Sequence, residues 1–302
     1  MEVFDMLIIG GGCAGLSAGM YAARLNLKTI LFAELPGGLI TTTHIVENWP
    51  GIISTSGPDL GSSLWAHAKA SGVLMKSETI KTVEKQGDVF VVKSSRNEYH
   101  GKTVVFATGS IHRHLGAPGE EEFKNKGVSY CALCDGAFYK EKVVAIVGGG
   151  DSAAKEALFL AQHASKVYVI VRKDILRAEP ANHKLVMNEP KIEVLFQEEV
   201  AEIFGTESVE GVRLKSGKQL DLQGVFVAIG QIPSTELAVQ IGATLNDKKE
   251  IVINRHSETS VPGAYACGDC TDTEFKQAIT GSAEGVTAAY YGFEYVKGAG
   301  GF

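Results

Sequence analysis

The residues of this chain best suited to chemistry are four of its five cysteines, set as two Cys-x-x-Cys pairs, Cys131/Cys134 and Cys267/Cys270. Random placement of five cysteines would yield about 0.07 such pairs, so two are informative. A two-residue spacer lets the sulfurs close into a disulfide, and it favours a low thiol pKa where the motif opens a helix. Asp135 follows the first pair at once and is placed to protonate the thiolate that leaves when a substrate disulfide is cleaved. Two other readings fit the same residues: four thiolates around a tetrahedral zinc, or buried unreactive pairs. The long separation of the pairs and the Asp269 inside the second weigh against zinc, and no metal is expected. Cys131/Cys134 is read as a cycling dithiol and Cys267/Cys270 as small apolar filler.

A dithiol cycle needs electrons, and two glycine turns supply a route for them. Gly10-x-Gly12-x-x-Gly15, with Cys13 and Ala14 inside it, follows the apolar run from Met6 to Ile9. Gly148-x-Gly150-x-x-Ala153, with Asp151 and Ser152 inside it, follows the run from Val143 to Val147. Such a turn alone is weak evidence, since at this glycine frequency chance expects about half an occurrence in the chain. Spacing decides: Gly10 to Glu34 and Gly148 to Arg172 are both 24 positions, each reaching the end of a second β-branched run. The glycines let backbone approach a pyrophosphate held at the start of the following helix, and the residue ending the second strand meets the ribose. Glu34 suits free ribose hydroxyls, whereas Arg172, Lys173 and Arg177 together suit a 2′-phosphate. The first site reads as FAD and the second as NADPH. Each half then closes with a strand-to-glycine phrase, Val104 to Ala107, Thr108 and Gly109 in the first and Val225 to Gly230 in the second.

These units imply an α/β fold of two Rossmann-like dinucleotide-binding domains. The 302 residues suffice for two domains, and the 35 glycines are nearly 12% of them against about 7% in an average protein. Net charge is −6, which offers no general attraction to nucleic acid or anionic lipid. No export signal or apolar stretch of membrane-spanning length is seen, so the cytoplasm is the expected compartment.

Together these motifs are similar to the low-molecular-weight thioredoxin reductases. The resemblance runs nearly end to end, through Thr41 to Thr43, Glu47 to Gly51, Ala107 to Gly109, Cys131 to Asp135, Gly230 and Pro233, Gly268 and Asp269, and Gln277 and Ala278. It implies a discontinuous FAD domain, residues 1–113 and 244–302, with the NAD(P)H domain carrying the dithiol, 114–243, inserted into it. It implies flavin contacts at Thr43, Asn48, Asp269, Lys276, Gln277 and Ala278, with Gly268 in the same turn. It further implies that Cys134 lies beside the flavin, Cys131 attacks the thioredoxin disulfide and Asp135 is the acid, in a homodimer that serves a thioredoxin-like protein. A rotation of one domain against the other would alternate the flavin's partner. The family's His-Arg-Arg phrase reads Val171, Arg172 and Lys173 here, and Lys replaces a planar fork with a point charge, which admits NADH. Leu39 replaces a usual Gln, Leu133 a usual Thr and Lys276 a usual Arg. Relatives of the same fold draw on ferredoxin or oxidise dithiols with oxygen, and these are the alternatives; a non-enzymatic zinc protein is a third.

Overall fold

The computed structural model describes residues 2–43, 46–124, 126–130 and 132–298, with backbone alone at His112, Leu133, Cys134 and Gln231. The chain forms two compact units, residues 1–111 with 233–302, and residues 112–232.

The first unit starts with β1 (Val3–Ile9), α1 (Cys13–Arg24) and β2 (Thr29–Phe32). Leu7, Ile8, Ile30 and Leu31 are wholly buried, as parallel strands covered on both faces require. Then come α2 (Gly57–Ala70), β3 (Leu74–Lys76), β4 (Ile80–Gln86), β5 (Val89–Ser94) and β6 (Glu98–Phe106). The Ser56 hydroxyl caps α2 by accepting from the Asp59 amide at 3.1 Å, with a proline in the first turn. Sheet order is β3-β2-β1-β6-β5-β4. β6 forks this sheet: its first half pairs antiparallel with β5, and Val104 to Phe106 pair parallel with β17 (Ala264–Ala266). Met6 and Ile8 face one core layer with α1 and with Ala288 and Phe293 of α7 (Ala278–Lys297). Leu7 and Ile9 face the other, with Phe106, Ala238 and Ile251.

The second unit is a parallel sheet of order β11-β10-β9-β15-β8. Its strands are β8 (Val128–Ser129), β9 (Val143–Val147), β10 (Lys166–Val171), β11 (Ile192–Phe196) and β15 (Gly224–Val227). Three helices accompany them: α3 (Ala132–Asp135), α4 (Asp151–Ala161) and α5 (Pro180–Asn188). An antiparallel meander of β12 (Val200–Gly205), β13 (Val209–Leu214) and β14 (Gln219–Asp221) forms a separate sheet. Again alternation sorts the layers, Val144 and Ile146 against α4, Ala145 and Val147 against the meander's Ile203 and Val212.

The chain passes between units through two three-residue strands, β7 (Ser110–His112) and β16 (Gln231–Pro233). The second passage falls before the expected return at 244. The reason is α6 (Glu236–Gln240), whose Ala238 is buried in the first unit's core and whose Gln240 side chain accepts from the Val83 amide at 2.9 Å. No described helix is long and apolar enough to cross a membrane.

Candidate active site

The two glycine turns are built alike. A Cβ on Gly10 would lie 2.0 Å from the Ala107 carbonyl oxygen, and one on Gly148 would lie 2.2 Å from that of Ala228. Only glycine lets each turn press against the strand-to-glycine phrase of its own unit. The second glycines serve differently, since a Cβ on Gly12 would meet one atom, at 3.8 Å, and on Gly150 none within 4 Å. Both are the N-cap residues of their helices, α1 and α4, and neither has a side chain capping the first amides. Open space in front of uncapped amides fits a pyrophosphate. Gly15 and Ala153 are packing positions: a Cβ on Gly15 would lie 2.0 Å from the Gly10 oxygen, and Ala153 is wholly buried. Ala14 packs against α7, and Ser152 is exposed.

In the first unit, the residues that the resemblance assigns to the flavin gather around the start of α7. Gln277 is the N-cap of α7, in a capping box with Thr280, and its Oε1 accepts from Asn48 at 3.0 Å across 229 positions of chain. That box starts the helix at Ala278. Burial pushes the Asp269 carboxyl upward, opposed by the nearby Lys276 charge. Lys276 donates to the Asp269 carbonyl oxygen at 3.1 Å and is paired with Glu250. The loop from Gly268 to Thr273 hangs on a residue that no sequence motif marked, Glu284 of α7. Its carboxylate accepts from the Gly268 amide at 2.7 Å and also from Thr271 and Thr273. Glu34 is exposed just past β2, and Thr43 follows a 3₁₀ turn, Gly38–Thr42, where its carbonyl accepts from Gly57. Thr108 donates to the Ser234 carbonyl.

Burial pushes the Cys13 thiol up to about 11. Cys267 and Cys270 have no exposed surface and lie in the two different core layers of the unit. Burial raises both thiols, that of Cys267 well above its ordinary value. Their opposite placement denies them to one another and to a shared four-thiolate zinc, which supports the filler reading.

In the second unit, Arg172 and Lys173 are exposed just past β10. Arg177 is held beside the glycine turn by its amide, which donates to the Gly149 carbonyl at 2.8 Å. Asp151, read as a cofactor contact, has its carboxylate engaged elsewhere. It accepts from the Glu179 amide at 2.9 Å and the Asn182 side chain at 2.8 Å, and pairs with Lys155. Those donors hold its pKa below the usual carboxylate range against the opposing effect of burial. Its carboxylate thereby ties the start of α4 to the start of α5.

Cys131 lies outside the described residues, and of Cys134 the backbone is described, within α3. Asp135 ends α3 and, with Phe138, Tyr139, Lys126 and Lys142, lines a pocket of about 400 Å³. Immediately before Cys131, the Tyr130 hydroxyl donates to Glu120 at 2.7 Å and meets His114 Nδ1 at 2.8 Å. Buried Glu120 also accepts from the Leu115 and Gly116 amides. His114 therefore belongs to a network with Tyr130 and Glu120. No helical spacing marks it, because His114 and Glu120 share the loop between β7 and β8 while Tyr130 follows β8.

A profile of the pyridine nucleotide-disulphide oxidoreductase family matches residues 4–285, and the chain belongs to that family. Among its relatives is the thioredoxin reductase of Bacillus subtilis (strain 168), 36% identical over 98% of this chain and 96% of that protein. The NADH dehydrogenase of the same organism is 38% identical over 98% of this chain, which spans 59% of that longer protein. The crystal structure of Lactococcus lactis thioredoxin reductase matches with a TM-score of 0.93 at 34% identity, covering 97% of this chain and 99% of that one. The resemblance to low-molecular-weight thioredoxin reductases and the α/β, two-domain dinucleotide-binding fold are both borne out.

Proposed function

We propose that this chain is a thioredoxin-disulfide reductase, passing electrons from NADPH through FAD to Cys131/Cys134 and on to a thioredoxin-like protein. The observation that carries the reading is the Cys131-x-x-Cys134-Asp135 motif between two glycine turns of one construction. Gly10, Gly12 and the amides opening α1 would hold the FAD pyrophosphate, with Glu34 at its ribose and Asp269 at the ribityl chain. Gly148, Gly150 and the amides opening α4 would hold the nicotinamide nucleotide, with Arg172, Lys173 and Arg177 at the 2′-phosphate. When bound, FAD supplies a two-electron relay between nicotinamide and disulfide.

The Cys131 thiolate attacks one sulfur of the partner disulfide, forming a mixed disulfide, and Asp135 protonates the thiolate that leaves. Cys134 then attacks the Cys131 sulfur, which releases the partner as a dithiol and leaves Cys131 joined to Cys134. Two electrons and two protons restore the pair. The protein would work as a cytoplasmic homodimer.

NADH is the second reading, favoured by the 38% identity to a NADH dehydrogenase and by the point charge of Lys173. Anaerobic titration of the flavin absorbance with each nucleotide separates them. Near-stoichiometric bleaching by NADPH alone supports the phosphate site, and equal bleaching by both indicates relaxed selection. No bleaching by either redirects the search to ferredoxin or oxygen. Cys134→Ser should keep the bleaching and lose disulfide turnover.

A further inference from the structure

Lys276, the residue before the Gln277 that caps α7, is engaged on two sides within the first unit. Its ammonium donates to the Asp269 carbonyl oxygen at 3.1 Å and is paired with the Glu250 carboxylate. The function proposed above gives Glu250 no task, and no sequence motif contains it. An ammonium carries three N–H donors. Among the described residues, the two acceptors just named take two of them and none takes the third. The pair is sheltered, since 30% of the lysine side chain and 12% of the glutamate side chain meet solvent. Charges so placed are screened less than a pair on the open surface.

Local structure holds Glu250 in place. The Asn246 side-chain oxygen accepts from the Lys248 and Glu250 amides at 2.9 and 3.0 Å, and its Nδ2 donates to the Glu250 carboxylate at 2.7 Å. The Asn246 amide donates to the Glu250 carbonyl at 2.9 Å and closes the turn. Ile251, the next residue, donates to the Cys270 carbonyl at 2.9 Å and accepts from the Asp272 amide at 3.0 Å. These bonds stitch the turn to the 268–273 loop that carries Asp269, and so bring Glu250 to Lys276. Burial works to raise the Glu250 carboxyl, but the Lys276 and Asn246 donors and the charges of Lys276 and Lys248 hold it below the usual carboxylate range. It is an anion at neutral pH. The Lys276 charge also reaches the Asp269 carboxyl, where it opposes the upward push of burial.

We propose that Glu250 is a positioning residue that sets the charge Lys276 presents to the flavin: it holds the ammonium on the Asp269 turn and cancels much of its field. The proposal rests on the reading of this site as the FAD site. Reduction by two electrons with uptake of one proton leaves the flavin one charge more negative. An uncompensated ammonium beside it would stabilise that product and raise the flavin's reduction potential. An enzyme that hands electrons on to a disulfide needs the opposite, a flavin whose potential matches a strongly reducing dithiol couple. The Glu250 carboxylate supplies the counter-charge, and Lys276 keeps its third N–H for the cofactor.

The test is the anaerobic equilibrium of the bound FAD with a reference dye of known potential, read from visible spectra. Glu250→Gln keeps the size of the side chain and an oxygen for the ammonium but removes the charge. Its flavin should be easier to reduce by about tenfold in the equilibrium constant, which is about 30 mV for a two-electron couple. Lys276→Met should shift the equilibrium about as far the other way. The double variant, Glu250→Gln with Lys276→Met, should return close to wild type, because the two losses offset each other. A merely structural contact predicts shifts of one sign that accumulate. An unchanged potential in Glu250→Gln overturns the proposal, as does a double variant that departs further than either single one. Should Glu250→Gln bind no FAD, Lys276→Met decides alone, and a potential no lower than wild type overturns the proposal. Failure of the underlying reading looks different: the purified protein is colourless and takes up no FAD.

Discussion

The described cysteine side chains are all buried, and their surroundings decide their character. Cys13 opens α1 yet has its thiol raised to about 11, because desolvation outweighs the helix start. Cys267 and Cys270 have the spacing of a redox pair but lie in opposite layers of one sheet. Converting both to alanine should preserve disulfide turnover and cost about 1–2 kcal/mol of stability in denaturant melts; loss of turnover with the fold intact would show the filler reading wrong. Glu156 yields a prediction of sign. Its folded pKa, about 7, lies above the ordinary 4.5, so its contribution to stability is complete below pH 4.5 and is lost as pH rises toward 7. Glu156→Gln should therefore gain stability relative to wild type across that window, on the order of 1–3 kcal/mol. Melts at pH 5 and pH 8 measure it, and an equal difference at both would exclude the linkage.

The strand, turn and helix that cradle each dinucleotide are legible in sequence, because local chemistry specifies them. β-branched runs, glycines that admit no Cβ and alanine-rich helices fall in a fixed order, twice. What supports those elements is not legible, since it depends on long-range meetings. Nothing near Glu284 announces that it holds the Gly268 amide, nor anything near Asn48 that it meets Gln277 across 229 positions. α6 is not legible as part of the first unit, because five residues carry too little periodicity. Glu284→Ala would strip the Gly268 amide and the Thr273 hydroxyl of their acceptor at once. With each such bond contributing about 0.5–1.5 kcal/mol, FAD affinity should fall roughly tenfold or more. Fluorescence titration of the deflavinated protein checks this, and unchanged affinity would leave the loop rigid without Glu284.

The two units differ in how far along the chain their partners lie. Residues 112–232 form one continuous stretch, whereas the first unit joins its opening 111 residues to those from 233 onward. Contacts of long sequence separation close late. In pulsed hydrogen exchange during refolding, amides of β9 and β10 should gain protection before those of Ala264 to Ala266, which pair with Val104 to Phe106. The reverse order would place the nucleus in the first unit.

The fork in β6 bears on the ribosome. When Val104 leaves the exit tunnel, the strand that completes its edge, and α7 that covers Met6 and Ile8, are some 160 codons away. At elongation rates of ~5–20 residues per second, that interval is roughly 10–30 s. For that time a nascent sheet of Ile, Leu, Val and Phe lacks one neighbour and one cover. Slow translation through the inserted stretch lengthens this exposure, and a chaperone that binds unpaired apolar strands should find its client on the growing chain.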